Sequence, residues 1–200
     1  TTMQESELQF LKSQINPHFL FNNLNNLYSY AIELSPKTPA IILELSSVLR
    51  YMLYECKERF VPLSKEIEQL EHFTQLNQLQ IEERGKVSFK ATAIKPGYQI
   101  APLILLVFIE NAFKHSQSGQ SSDIRIDINI KMDVYTLHFN CKNNFQPINE
   151  TENLTKGIGL DNVKKRLQLL YPNAHELIIK ESPHQFEVDL KIELQKISLK

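Results

Sequence analysis

His18 stands between Pro17 and Phe19 in the run "NPHFLFNN", and its chemistry is that of a nucleophile. Imidazole has a reference pKa of about 6.5, so at neutral pH it is mostly uncharged and keeps a nitrogen lone pair. Asn22, one helical turn further on, can hold a water or a phosphoryl oxygen. A second group, Glu110, Asn111, Lys114 and His115, falls within about one helical turn, so these side chains can converge on one ligand. The third group is Gly157 and Gly159, two of only five glycines, which bracket one residue immediately ahead of a helical segment. Backbone amides at such a helix start favour an anion such as phosphate, because their N–H groups are unsatisfied and the helix dipole points at the ligand. Each pattern alone has a plainer reading: a solvated histidine, a charged helix end, a turn.

These residues need elements to hold them. Leu8, Leu11, Ile15 and Phe19 continue into Leu20, Leu24, Leu27 and Ala31 at spacings of three and four, the mark of an amphipathic helix. Pro17 lacks an amide hydrogen, so the Ser13 carbonyl loses its partner and the helix is expected to bend just before His18. On a helical wheel His18, Asn22, Asn25 and Ser29 form a polar stripe opposite an apolar one of Leu20, Leu24, Leu27 and Ala31, so the ring is expected to be presented to solvent. After "LSPKTPA", with Thr38 as N-cap and Pro39 first in the turn, a second helix carries Ile41, Ile42, Leu45, Val48, Leu49, Met52 and Leu53. That band is too wide for one partner helix to cover, and two such hairpins from two chains would close it as a four-helix bundle. A third helix is expected from an N-cap at Ser64 to a stop at Gly85.

Beyond Gly85 the period changes from that of a helix to that of a strand. "KVSFKATAI", "DIRIDINIKM", "VYTLHFNCKN", "HELIIKES" and "FEVDLKIEL" alternate apolar and polar residues, with helices at "APLILLVFIENAFKHS" and "DNVKKRLQLLY". The expectation is an α+β chain: a helical hairpin over residues 1–60, then a mixed sheet with helices on one face over residues 61–200.

Composition narrows the partners. With 42% hydrophobic and 22% charged residues the 200-residue chain can build a core, and a net charge of −1 gives no field toward nucleic acid or an anionic membrane. Cys56 and Cys141 fit no metal spacing and read as buried free thiols in the cytosol. No run of 18 apolar residues occurs, so this stretch is expected neither to span a membrane nor to be exported, and its lack of an initiator methionine suggests a piece of a longer protein.

The segment "LKSQINPHFLFNNLNNLYSY" resembles the phosphoacceptor box of LytS-type sensor histidine kinases, and "LSSVLRYML" and "VPLSKEIEQLEHFTQLNQLQIEER" are similar to that family's next two segments. "ENAFKH" resembles its N box and "TKGIGLDNVKKRL" its G2 box, so the likeness runs from about Leu11 to Leu194. The resemblance implies a Bergerat-type ATP-binding fold and transfer of the γ-phosphoryl of MgATP to His18. It implies Asn111 as the Mg²⁺ ligand, Lys114 and His115 near the phosphates, and Gly157, Gly159 and Leu160 cradling them. Glu110 is the candidate base, although a neutral imidazole already offers a lone pair. It further implies a homodimer, a response regulator of the LytTR type as partner, and a parent protein with membrane spans whose cytoplasmic side carries this fragment.

Two departures bear on activity. Where relatives place an aspartate that accepts the adenine amino proton, followed by glycines, this chain has Asn143 and no glycine after it, and the lid from Pro147 to Lys156 is short. An amide accepts more weakly than a carboxylate, so weak ATP binding is expected. The alternative is a dimeric interaction module, a pseudokinase with a degenerate nucleotide site.

Overall fold

In the computed structural model, residues 17–117, 122–146 and 156–198 are described, the side chains of residues 17, 18 and 156–158 excepted. The helix expected over Leu8–Ile15, the bend before His18, the presentation of its ring and the lid from Pro147 to Lys156 lie outside the described residues. In order the chain forms α1 (Pro17–Ile32), α2 (Thr38–Tyr54), β1 (Val61–Pro62), α3 (Leu63–Ile81), β2 (Gly85–Thr92), β3 (Tyr98–Ile100), α4 (Ile104–Gln117), β4 (Ile124–Asp133), β5 (Thr136–Asn144), α5 (Lys156–Leu170), β6 (His175–Ser182), β7 (Gln185–Glu193) and β8 (Gln195–Lys196).

The alternating segments pair into a five-stranded sheet of order β2-β4-β5-β7-β6, parallel between β2 and β4 and antiparallel elsewhere. Period-two burial sends Ile126, Ile128 and Ile130 of β4 and Leu137, Phe139 and Cys141 of β5 to one face. α4 covers that face, with the Phe108 and Phe139 rings 5.9 Å apart, and α5 packs beside α4. This is the α+β architecture with helices on one face of a mixed sheet. Strands β1, β3 and β8 form a second small antiparallel sheet, too short to leave a periodic trace in the sequence.

The core runs on without a break from the sheet into the hairpin. Phe19 of α1 stacks on Phe73 of α3 with ring centroids 4.8 Å apart. Tyr51 of α2 donates its hydroxyl proton to Glu66 of α3, whose other carboxylate oxygen accepts the Leu103 N–H at 2.8 Å, just ahead of α4. Burial pushes the Glu66 carboxyl up from its ordinary range, while Tyr51, the Leu103 amide and the Arg166 charge pull it back.

Three expected boundaries move. Thr38 and Pro39 are the first two residues of α2, and the flanking Lys37 makes no side-chain cap. α3 begins at Leu63, one residue before the expected cap Ser64, and ends at Ile81 instead of running on to Gly85. Glu82, in the left-handed region at φ 43°, turns the chain, with its carboxylate accepting a hydrogen bond from Tyr30 of α1. Gly85 instead opens β2, where a Cβ would fall 2.1 Å from the Ile124 carbonyl oxygen, so the glycine serves close strand pairing.

The stripes of α1 also shift. Phe19 and Asn23 are the buried positions, with Leu27 and Tyr30 packed against the core, whereas Leu24 and Ala31 of the expected apolar stripe are exposed. Phe21, Leu24, Tyr28 and Ile32, with Ile42, Leu43 and Leu53 of α2, leave an apolar surface uncovered in the single chain. The reason is that α3, absent from a two-helix reading, takes the face centred on Phe19.

Candidate functional site

α4 is built as an apolar rod with a polar end, and its polar residues fall in two rows. Residues one apart on a helix point in different directions, whereas those four apart share a face. Glu110 and Lys114 therefore form one row and Asn111 and His115 another, so the four do not converge on a single point as the spacing had suggested.

The first row faces the hairpin. Glu110 and Lys114, with Phe113 and Gln117, line a cavity of about 440 Å³ whose other walls are Phe19 and Asn22 of α1 and Phe73, Asn77 and Gln80 of α3. Asn22, the polar residue one turn after His18, is thus brought opposite Glu110 and Lys114 of the same chain. Asn25 and Ser29, further along the expected polar stripe, are exposed and bonded to each other's turn, with the Ser29 hydroxyl donating to the Asn25 carbonyl.

The second row faces the sheet and α5. Val107, one turn before Asn111, has its Cγ1 3.9 Å from the place a Cβ on Gly159 would occupy, so the first turn of α5 lies against this row. α5 is described from Lys156, and Gly157, Gly159 and Leu160 lie within it and do not precede it. At the other end of the row His115 is buried, its ring edge-on to Phe186 with centroids 5.6 Å apart.

Phe186 is the register partner of Asn143 on β5, which brings His115 and Asn143 to the same end of the sheet. Asn143 is 2% exposed, and its Nδ2 donates to the Asn144 carbonyl at 3.1 Å. Its Oδ1 is buried with no hydrogen-bond partner. A buried acceptor without a donor is costly, and an amino group arriving on a ligand would satisfy it. Around this end a cavity of about 660 Å³ is lined by Asp123, Arg125, Asp127, Lys142, Asn143 and His184.

Sequence reasoning missed Asn77 and Gln80 as cavity walls. The available signal was polar residues among the apolar ones on one face of α3, where Glu66, Gln69 and Asn77 are all buried. No group of three or more His, Cys, Asp or Glu side chains able to hold a metal occurs among the described residues. Nor is any helix among them long and apolar enough to cross a membrane.

Residues 6–85 match the histidine kinase family model. The chain is 28% identical over 180 residues to the sensor protein LytS of Enterococcus faecalis, covering 84% of this chain and 31% of that protein. It is 25% identical over 207 residues to the sensor protein LytS of Bacillus subtilis, covering 98% of this chain and 35% of that one. The chain therefore spans about a third of the length of the curated relatives it matches. Among solved structures, the histidine kinase domain of the blue-light-activated histidine kinase EL346 from Erythrobacter litoralis superposes with a TM-score of 0.53 over 96% of both chains at 14% identity, which speaks to the fold alone. Along most of its length the chain is similar to the LytS-type sensor histidine kinases, and it has the α+β fold of a histidine kinase domain.

Proposed function

We propose that this chain is the cytoplasmic signalling portion of a sensor histidine kinase, which transfers the γ-phosphoryl group of MgATP to His18 and passes it on to an aspartate of a response regulator, of the LytTR type by family likeness. The observation that carries the reading is the seat of α5 against α4: the glycine-bearing first turn of α5 lies beside the row of Val107 and Asn111. Backbone amides of this glycine-bearing stretch and the Asn111 side chain are the groups assigned to one set of phosphates.

Adenine is assigned to the other end of the same row, where the unpartnered Oδ1 of Asn143 accepts its amino proton; His115, expected near the phosphates, is instead assigned to this end, where its ring meets Phe186. Mg²⁺ takes most of its ligands from water and substrate phosphate, so a lone amide oxygen at Asn111 fits it better than a dedicated cage would. When bound, the ion neutralises phosphate charge. Gly157, Gly159 and Leu160 hold the phosphates through the backbone, and Lys114 adds a positive charge beside the acceptor helix.

In the reaction a ring nitrogen of His18 attacks the γ-phosphorus, and the nitrogen–phosphorus bond forms as the bond to the β,γ-bridging oxygen breaks. That electron pair leaves on ADP. The proton on the other ring nitrogen departs to solvent or to the Glu110 carboxylate. Positioning and charge neutralisation supply most of the acceleration, since phosphoryl transfer needs little covalent help.

Residues 1–60 serve as the phosphoacceptor and dimerisation hairpin and residues 61–200 as the nucleotide-binding unit. A second copy covers the exposed Phe21, Leu24, Tyr28 and Ile32 of α1 and completes a four-helix bundle. The test is incubation with MgATP followed by linkage analysis. Acid-labile, base-stable phosphate that disappears in His18→Ala is expected. A protein that binds nucleotide yet never labels would overturn the assignment in favour of a non-catalytic interaction module.

A further inference from the structure

We infer that His18 takes its phosphate from the nucleotide bound to its own chain, across the cavity between α1 and α4, and that Gln80 of α3 contacts the phosphoryl group in transit. This rests on the proposed kinase reading and adds to it the route of transfer and a residue on that route.

The route follows from which face of α1 points where. Phe19 and Asn22 line the cavity together with Glu110 and Lys114 of the same polypeptide. α1 is fastened there by the Phe19–Phe73 stack, by full burial of Asn23 and by the hydrogen bond from Tyr30 to Glu82. The apolar face left for a second copy, Phe21, Leu24, Tyr28 and Ile32, is a different one. A partner seated on that face would leave the cavity between α1 and its own α4, so α4 of the partner has no approach to the turn that follows His18.

Gln80 enters because α3 supplies the third wall. Asn77 commits its side-chain N–H to the Phe73 carbonyl at 2.8 Å, whereas the Gln80 side chain, on the same cavity, makes no hydrogen bond among the described residues. The Gln80 backbone is held from below, its carbonyl accepting from Arg84 at 2.6 Å, and the same arginine nitrogen lies 3.4 Å from Oε1 of Gln117 across the cavity end. An amide fixed at its backbone and lining the same cavity as Lys114 can donate to phosphoryl oxygens as negative charge spreads over them.

The experiment co-expresses two differently tagged chains, one His18→Ala and one Asn111→Ala, and isolates the mixed dimer by tandem purification. With MgATP the wild-type dimer labels and the mixed dimer does not, because its only intact nucleotide site faces an alanine. Label on the Asn111→Ala chain overturns the inference. An unlabelled wild type would fault the kinase reading instead, and a second measurement that needs no activity still decides the geometry. Asn22→Cys with Glu110→Cys, treated with a short bis-maleimide, is expected to cross-link within one chain and run as a monomer in denaturing gels. A covalent dimer or no cross-link overturns it. For Gln80, Gln80→Leu is expected to lower the labelling rate at saturating MgATP about tenfold or more with the ATP dissociation constant unchanged. An unchanged rate, or a loss confined to ATP affinity, overturns its role.

Discussion

Replacing Asn143 by leucine tests the adenine assignment through two effects of opposite sign. In the nucleotide-free protein Oδ1 of Asn143 is buried without a donor, which costs about 1–3 kcal/mol, while the Nδ2 bond to the Asn144 carbonyl returns about 1 kcal/mol. Leucine is close in size and removes both, so Asn143→Leu is expected to unfold at the same temperature as wild type or a few degrees higher, at about 3 °C per kcal/mol for a chain of this length. Nucleotide binding moves the other way. The adenine amino group loses its acceptor in a dry site, and about 1–3 kcal/mol corresponds to a dissociation constant about 5- to 150-fold weaker. GTP, which carries a carbonyl where ATP has that amino group, should bind wild type weakly and lose little in the variant. Thermal unfolding without nucleotide and calorimetric titration with ATP and GTP measure the two halves. A variant that is destabilised by more than about 1 kcal/mol and binds ATP as before would refute the reasoning.

Other consequences follow from the packing. Burial raises the Glu66 carboxyl pKa above its ordinary 4.5, so the folded state holds this proton more tightly than the unfolded one. The stabilisation is fully present below the unfolded pKa and is lost as pH rises through the folded one; Glu66→Gln should therefore gain on wild type in urea unfolding as pH rises from about 4.5. The opposite trend would mean an ionised, fully compensated carboxylate. Gly85→Ala places a Cβ 2.1 Å from the Ile124 oxygen and 2.6 Å from its Cβ, against backbone that cannot yield without breaking the β2–β4 pairing, and a loss of about 3 kcal/mol is expected in the same assay. An unchanged urea midpoint would contradict it. Leu24→Glu with Ile32→Glu puts two charges on the exposed face of α1 and should weaken dimerisation about 100-fold or more by light scattering; equal association of variant and wild type would show that another surface holds the dimer.

Most elements are legible in the sequence because a residue's neighbours along the chain decide them. The alternation in "DIRIDINIKM" sends every second residue to the core whatever the sheet order, and β4 spans Ile124–Asp133. Asn143 follows Leu137, Phe139 and Cys141 at a spacing of two, which puts it on the inward face of β5, and it is buried there. Helix ends are less legible: α3 stops at Ile81, and Glu82, at positive φ, bonds to Tyr30 of α1, a contact no local pattern announces. The G-x-G pair reads as standing ahead of a helix and instead lies within α5, where Gly159 sits against Val107 of α4.

The sequence by itself determined the chemistry on offer: an imidazole after a proline, an amide and cations on an apolar helix, glycines at a helix start, and the periods that put them on helices and strands. Only the tertiary structure decided what faces what. A helical wheel assigns residues to faces but says nothing of which neighbour each face will meet, and that is settled by long-range burial. Stacking of Phe73 on Phe19 turned α1 so that Asn22 looks across at Glu110 and Lys114, and the pairing of β5 with β7 set Asn143 beside Phe186 and, through it, His115.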